Sequence, residues 1–396
     1  MMRTLRAATV FSMAVATSLA SAQAPAAVLV PASNESVQRF HDVATMITRQ
    51  ANLKPGQVVV ISGSTAYLPF MEDVAIQATQ AGAGTIINLH TDRLEAARRQ
   101  QLGGRYGFNP PTAVEKDLLS KADLWIIFPD VSDPGAFPTY SAQQQAAMDS
   151  SFTAWRPSVN RRRSLYVNIP SERDTAGTGL TFAELSSRRW KAMQADYSHM
   201  SAVGESLRSA LASGKTVRVT SPEGTDVTFS LAPNGVLVDA IAALTSGRYA
   251  QPANRAAVPG GSVAAIVVES SANGKVRAAY DQCTLPVRDE AIDVRQGRAE
   301  NVHTASDEAC VQKALKGLRL SAFSIGLNPA LTDVRTPGGM PLEPAGEGLV
   351  AIYFGDNRFF GGSNHDGANW YVPLAKATVS VDGRTIVRDG QIVDRR

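Results

Sequence analysis

Two cysteines and five histidines are few in a chain of 396 residues. No C-x-x-C and no adjacent Cys/His pair occurs, which excludes zinc modules of the finger or ribbon kind. Charge is also scarce: Asp, Glu, Lys and Arg make up 19% of the chain and sum to a formal +3. The one basic run, Arg161-Arg162-Arg163, follows Pro157 and Asn160 without aromatic interleaving and reads as a solvated loop, so nucleic acid is not an expected partner. G-x-G-x-x-G, the Walker lysine and G-x-S-x-G are all missing, which removes the usual dinucleotide, P-loop and α/β-hydrolase signatures. Ser62-Gly63-Ser64 after a strand is the nearest approach to a phosphate-binding turn. No apolar run reaches the length of a bilayer span; the longest candidate, Ala7–Leu19, is too short and too rich in alanine.

That run instead reads as part of a targeting segment. Arg3 and Arg6 supply a positive start, Ala7–Leu19 an apolar middle, and Ala20-Ser21-Ala22 a small-residue cleavage site. We therefore expect a signal peptide over 1–22, export to the periplasm or beyond, and no membrane contact once the signal is removed. In that oxidising compartment Cys283 and Cys310 read as a disulfide.

About 370 mature residues exceed one ordinary core, so two domains are expected. Strand, helix and strand alternate between 35 and 130. QVVVIS (57–62), GTIINL (84–89) and DLWIIF (123–128) are apolar strand runs, separated by the amphipathic stretch Glu72–Ala81 and by Lys116–Lys121. This pattern predicts βαβ units and a parallel sheet. Thr181–Leu211 reads as one or two helices. Beyond it, KTVRVT (215–220) and VTFSL (227–231) flank a glycine-containing turn, and VSVDGRTIV alternates around Asp382-Gly383, so both read as hairpins. The expected architecture is an α/β domain with a parallel sheet over 23–210 and a β-rich α+β domain over 211–396.

Several segments carry more than patterning. Leu53-Lys54-Pro55-Gly56-Gln57-Val58-Val59, Glu223-Gly224-Thr225-Asp226-Val227-Thr228-Phe229, Val258-Pro259-Gly260-Gly261-Ser262-Val263 and Ile325-Gly326-Leu327-Asn328-Pro329 stand in that order. GLVAIYFGDNRFFGGSNHDGANWY (348–371) follows them. Together they resemble the metallo-aminopeptidases of the aminopeptidase T and aminopeptidase S group. There the last region reads roughly G-T-[VI]-H-I-A-[LI]-G and then G-G-x-N-x-S-x-x-H-W-D. The resemblance implies a β-rich domain holding two divalent metals through two Glu, two His and an Asp, and a homodimer. Such a pair polarises a peptide carbonyl and generates hydroxide near neutral pH.

Carried over residue by residue, the implied ligands are missing. The first Glu falls on Ser262, the second on Ala322, the first His on Ala351, the second on Asn369 and the Asp on Tyr371; a tyrosine that follows the first His falls near Arg358. Metal ligation needs a lone pair and, for hard cations, negative charge, which alanine cannot supply. The related iron-dependent dihydroxypyridine ring-cleaving dioxygenases need the same His-x-Asp pair, which is absent too. The leading expectation is an exported protein on this fold without the dinuclear site, either binding a small molecule or peptide or carrying a changed chemistry. Its pocket would be formed by Ser262, Ala322, Ala351, Tyr353, Asn364, Asn369, Trp370 and Tyr371. The aromatics Tyr353, Phe359, Phe360, Trp370 and Tyr371 there read as core packing or as the lining of an apolar pocket. The alternatives are a working aminopeptidase with relocated ligands for zinc, cobalt, manganese or iron, or a relative of the dioxygenases. His365, Asp366, Glu347 and Glu269 are the candidates for relocation, and His365, Asp366 and Arg358 for catalysis. Ser363, His365 and Asp366 share one loop, but sequence neighbours seldom adopt triad geometry.

Overall fold

The computed structural model describes residues 34–102, 113–132, 163–175, 178–239, 255–278, 290–303, 315–332, 344–357, 360–366 and 369–393. The expected signal segment, Cys283, Cys310, Arg161, Arg162, Arg358 and Phe359 lie outside them. Among the described residues no helix is long and apolar enough to cross a membrane.

The chain opens on α1 (Asn34–Ala51), β1 (Val58–Ser64), α2 (Leu68–Gln80), β2 (Gly84–His90), α3 (Asp92–Leu102), α4 (Ala113–Lys121), β3 (Leu124–Ile127) and β4 (Arg163–Val167). Phe70, Met71, Val74, Ala75 and Ala78 recur at helical spacing along α2 and are buried. Phe70 stacks on Phe40 of α1 at 5.0 Å between centroids and meets Phe128 edge-on at 4.9 Å. Burying one such ring contributes about 1.5–3 kcal/mol. Gly63 lies within β1 itself, where a Cβ would come 2.5 Å from Phe128 Cβ. The Ser62-Gly63-Ser64 glycine therefore serves helix–sheet and strand packing at this point. Arg163 is not in a solvated loop: it begins β4, donating to the carbonyls of Asp123 at 3.1 Å and Ala51 at 3.3 Å.

Two helices follow, α5 (Phe182–Met193) and α6 (Tyr197–Ser213). The first starts on a capping box between Thr181 and Glu184. Then come β5 (Thr216–Thr220), β6 (Asp226–Asp239) and β7 (Arg255–Val258). The parallel sheet has the order β2-β1-β3-β4-β7. Its last strand thus comes from beyond the expected 210/211 boundary. The chain passes into the second sheet through β5 and β6, returns for one short strand, and leaves again.

The rest is β8 (Ser262–Val267), β9 (Asn273–Ala278), β10 (Glu290–Arg295), β11 (Arg298–His303), β12 (Leu320–Gly326), β13 (Val350–Gly355), β14 (Asn369–Leu374), β15 (Thr378–Val381), β16 (Arg384–Arg388) and β17 (Gln391–Ile392). With β5 and β6 they make a 12-stranded antiparallel sheet whose main path runs β14-β13-β12-β8-β6-β5-β15-β16-β17. An α/β unit on a parallel sheet beside a large β-rich unit is the architecture expected from the sequence. α6 covers one face of the second sheet: a Cβ on Gly204 would meet Val238, and one on Gly261, at φ 116, would meet Met200 Cε. The Asp382-Gly383 hairpin turns at φ 47 and 86, and the Asp382 carboxylate accepts from the N–H groups of Thr216 and Lys215 at 2.9 and 3.0 Å. Those bonds hold its pKa below the usual carboxylate range.

Candidate functional site

Side chains alternate between the two faces of a strand, and here the alternation separates two sets cleanly. On β13, Val350, Ile352 and Phe354 enter the large core under α6, whereas Ala351 and Tyr353 belong to a separate small cluster. On β12, Phe323 and Ile325 enter the large core and Ala322 the small cluster. On β8 the same division places Val263, Ala265 and Val267 against Ala264 and Ile266. On β14, Trp370, Val372 and Leu374 face the core and Tyr371 packs with the small cluster. Ala322, Ala351 and Tyr371 thus share one sheet face on three adjacent strands, and Ser262 has the same parity at the start of β8. Asn369 is placed by register alone, opposite Gly355.

The face is plugged rather than open. Tyr353 pairs across the sheet with Ala322 on one side and Tyr371 on the other. Its hydroxyl lies 3.1 Å from Ser324 Oγ, which belongs to the next row, paired with Ala351 and Ala264. The ring therefore reaches diagonally over the two alanines. Phe360 meets it edge-on at 4.7 Å, and Tyr371 lies at 6.1 Å. In the motif quoted above, Tyr353 stands where the resemblance has a small Ala, two residues beyond the His position. Volume is thus small at 322 and 351 and large at 353 and 371. An interior tolerates such exchanges only when total volume is kept.

The relocated-ligand candidates do not converge. Glu347 sits at the β8-start end of the sheet, its N–H donating to Asn328 O at 2.9 Å. His365, Asp366 and Glu269 lie at the other end, beyond the six residues of β13. That strand is about 20 Å long at the usual rise. His365 is exposed, with Nδ1 3.0 Å from Ser363 O. Glu269 and Asp366 instead bracket Arg319, whose Nη1 lies 3.1 Å from Glu269 Oε2 and 3.4 Å from Asp366 Oδ2. Among the described residues no group of three or more His, Cys, Asp and Glu is arranged to hold a metal. A guanidinium between two carboxylates also opposes a cation there. Among the described residues, neither the face on which the resemblance places the ligands nor these candidates fit a dinuclear metal centre.

Two members of the expected pocket are elsewhere. Trp370 belongs to the large core, so its removal tests folding rather than a pocket. Asn364 is buried in the 360–366 loop, which is folded around a residue that sequence reasoning passed over, Asn357. Asn357 is 1% exposed. Its carbonyl accepts from the N–H groups of Phe360 and Gly362, each at 3.0 Å, and its N–H donates to Asn364 O at 3.1 Å. Its side-chain oxygen accepts from Asn364 N at 2.9 Å, and Nδ2 points to Ser321 O at 3.3 Å and Glu269 Oε1 at 3.5 Å. A Cβ on Gly362 would lie 2.0 Å from Asn357 Oδ1. The Gly361-Gly362 pair, an Asn and a strand-ending Gly355 were the signal for it.

Next to the plug, a cavity of about 730 Å³ opens at this end of the strands. Ile266 belongs to both. The cavity is walled by Ala232 and Pro233 in the irregular part of β6, by Glu269, Arg298 and Arg319, and by the Gly361–Ser363 loop. Its size suits a small organic ligand.

No family model matches the chain, and no curated protein matches it in sequence. Solved structures do resemble it. AmpT from Thermus thermophilus, an aminopeptidase T, superposes with a TM-score of 0.63 at 18% identity, covering 90% of this chain and 99% of that one. The 2,5-dihydroxypyridine dioxygenase from Pseudomonas putida KT2440 superposes with a TM-score of 0.59 at 15% identity, covering 92% and 100%. At such identities the likeness speaks for the fold alone, and that fold, shared over nearly the whole of both chains, is an aminopeptidase-like one.

Proposed function

We propose that this chain is an exported small-molecule-binding protein on an aminopeptidase-like fold, without the dinuclear metal centre and without peptidase activity. The observation that carries this reading is the Tyr353 ring lying over Ala322 and Ala351, with its hydroxyl on Ser324. A metal pair would need ligands where those alanines stand and room where that ring stands. The ligand would occupy the adjoining cavity, which keeps its charged groups. A homodimer is part of the proposal by resemblance only.

The test is metal analysis of purified protein after incubation with zinc, cobalt, manganese or iron, combined with turnover of aminoacyl-anilides. The expected result is less than one metal per chain and no cleavage above background. About two metals per chain with chelator-sensitive cleavage would sink the proposal, because that is what a co-catalytic pair delivers. A single iron with ring-cleaving activity on a dihydroxypyridine would sink it as well.

A further inference from the structure

Two arginines line the cavity, and their charges are met differently. Arg298 and Arg319 stand directly opposite each other on an isolated antiparallel bridge between β11 and the residue before β12. Like charges so placed repel one another. Arg319 is compensated from both sides by Glu269 and Asp366. Arg298 donates through Nη1 to Gly317 O at 2.9 Å, a neutral acceptor, and has no carboxylate partner among the described residues. Glu269 does not serve both arginines: one oxygen is on Arg319 and the other faces Asn357 Nδ2. Among the described residues, the charged groups lining the cavity are therefore two cations and one anion already in use.

We infer that the cavity binds a small organic carboxylate, with the carboxylate on Arg298 and an apolar body against Ala232, Pro233 and Ile266. A guanidinium offers a planar fork of donors that matches a carboxylate in two parallel hydrogen bonds. A carboxylate there also relieves the repulsion between the two arginines. Gln296 and Ser270, both on the lining, add neutral hydrogen-bonding groups beside it. A cation is disfavoured because Glu269, the one lining carboxylate among the described residues, is engaged, and a neutral ligand leaves Arg298 unmatched. The inference rests on the reading of the chain as a binding protein, and it names the class of ligand for that cavity.

Isothermal titration of the whole exported protein tests it with three probes: 3-phenylpropionate, its neutral amide and inorganic phosphate. The expected result is binding of the acid, at least tenfold weaker binding of the amide, and weaker binding of phosphate than of the acid. Arg298→Gln should weaken the acid about tenfold or more, and Arg298→Lys should recover part of that loss. Because Arg298 is exposed, the Gln variant should fold normally, and its melting temperature confirms this. The inference is overturned if acid and amide bind alike, if phosphate binds as well as the acid, if none of the three binds, or if Arg298→Gln leaves the acid's affinity unchanged. Metal content and anilide turnover report on the preceding proposal separately. A chain with two metals that still discriminates acid from amide would fail there and stand here.

Discussion

The plug and the cavity share Ile266 of β8, yet they are built on opposite principles. On the plug, alanines pack under tyrosine and phenylalanine rings, and the polar groups left are hydroxyls. At the cavity, charged side chains remain: Glu269 meets the buried Asn357, Arg319 meets Glu269 and Asp366, and Arg298 meets Gly317 O. Neighbouring sites on one sheet therefore differ in what a substitution can restore. Installing the metal pair that the resemblance implies requires five ligands, at 262, 322, 351, 369 and 371, and room where the Tyr353 ring stands. Changing the preference of the cavity requires one charge.

The largest expected effect comes from emptying the plug. Tyr353→Ala removes a ring that is 9% exposed and its bond to Ser324. Aromatic-to-alanine changes in a core cost about 3–5 kcal/mol, so the urea midpoint should fall by the equivalent amount with an unchanged slope. A cost below about 1 kcal/mol would mean that the face is open rather than filled, and the contrast with the cavity would disappear.

Asn357→Ala comes next. It deletes the side-chain bonds to Asn364 N, Ser321 O and Glu269 Oε1 that anchor the loop carrying Phe360 of the plug and Gly361–Ser363 of the cavity wall, and leaves only the backbone bonds to Phe360 and Gly362. Leaving buried donors and acceptors unsatisfied costs about 1–3 kcal/mol. Hydrogen exchange at Asn364, whose N–H loses its acceptor, should accelerate well before global unfolding, while the β1 amides keep their protection. If both accelerate together, the two regions are not separately stabilised.

Ala351→His tests the volume exchange directly. Alone it overpacks the face beneath Tyr353 and should cost about 1–3 kcal/mol. In a Tyr353→Ala background the imidazole has space, so the double variant should be more stable than the sum of the singles by about 1 kcal/mol or more. Additivity would show that residues 351 and 353 do not compensate one another.

How much of this was legible depends on range. The parallel sheet was readable because QVVVIS, GTIINL and DLWIIF are apolar runs divided by helical stretches, and burial on both faces demands such runs. The glycines flanking Ser262, Ala322 and Ala351 fixed their strand parity well enough to place them on one face. Arg255–Val258 was not readable as a fifth parallel strand: four residues with a single large apolar side chain carry little local signal, and neighbouring strands supply the reason for the pairing. Trp370 was assigned to the pocket because the loop before it hid the strand register, and one step of register exchanges faces. Arg298 and Arg319 meet only because β11 and β12 come together, 21 positions apart, and no spacing rule anticipates that bridge.

The smallest expected effect separates charges that hold the fold from charges that hold a ligand. The Glu269–Arg319 pair is half exposed, and such pairs contribute on the order of 0.5–1 kcal/mol. Glu269→Gln should therefore change stability little, while removing this lining carboxylate should tighten 3-phenylpropionate several-fold. Asp382, on the far hairpin, is the opposite case. Backbone N–H groups of Thr216 and Lys215 depress its pKa in the folded state. A depressed carboxyl stabilises the fold above its unfolded pKa, near 3.9, and that contribution is lost as pH falls through the lower folded value. Asp382→Asn should flatten the stability profile below about pH 4 and leave the acid's affinity unchanged. If Asp382→Asn instead weakened the acid, or Glu269→Gln loosened it, cavity charge would not be what selects the ligand, and the division between packed face and charged cavity would fail at its second half.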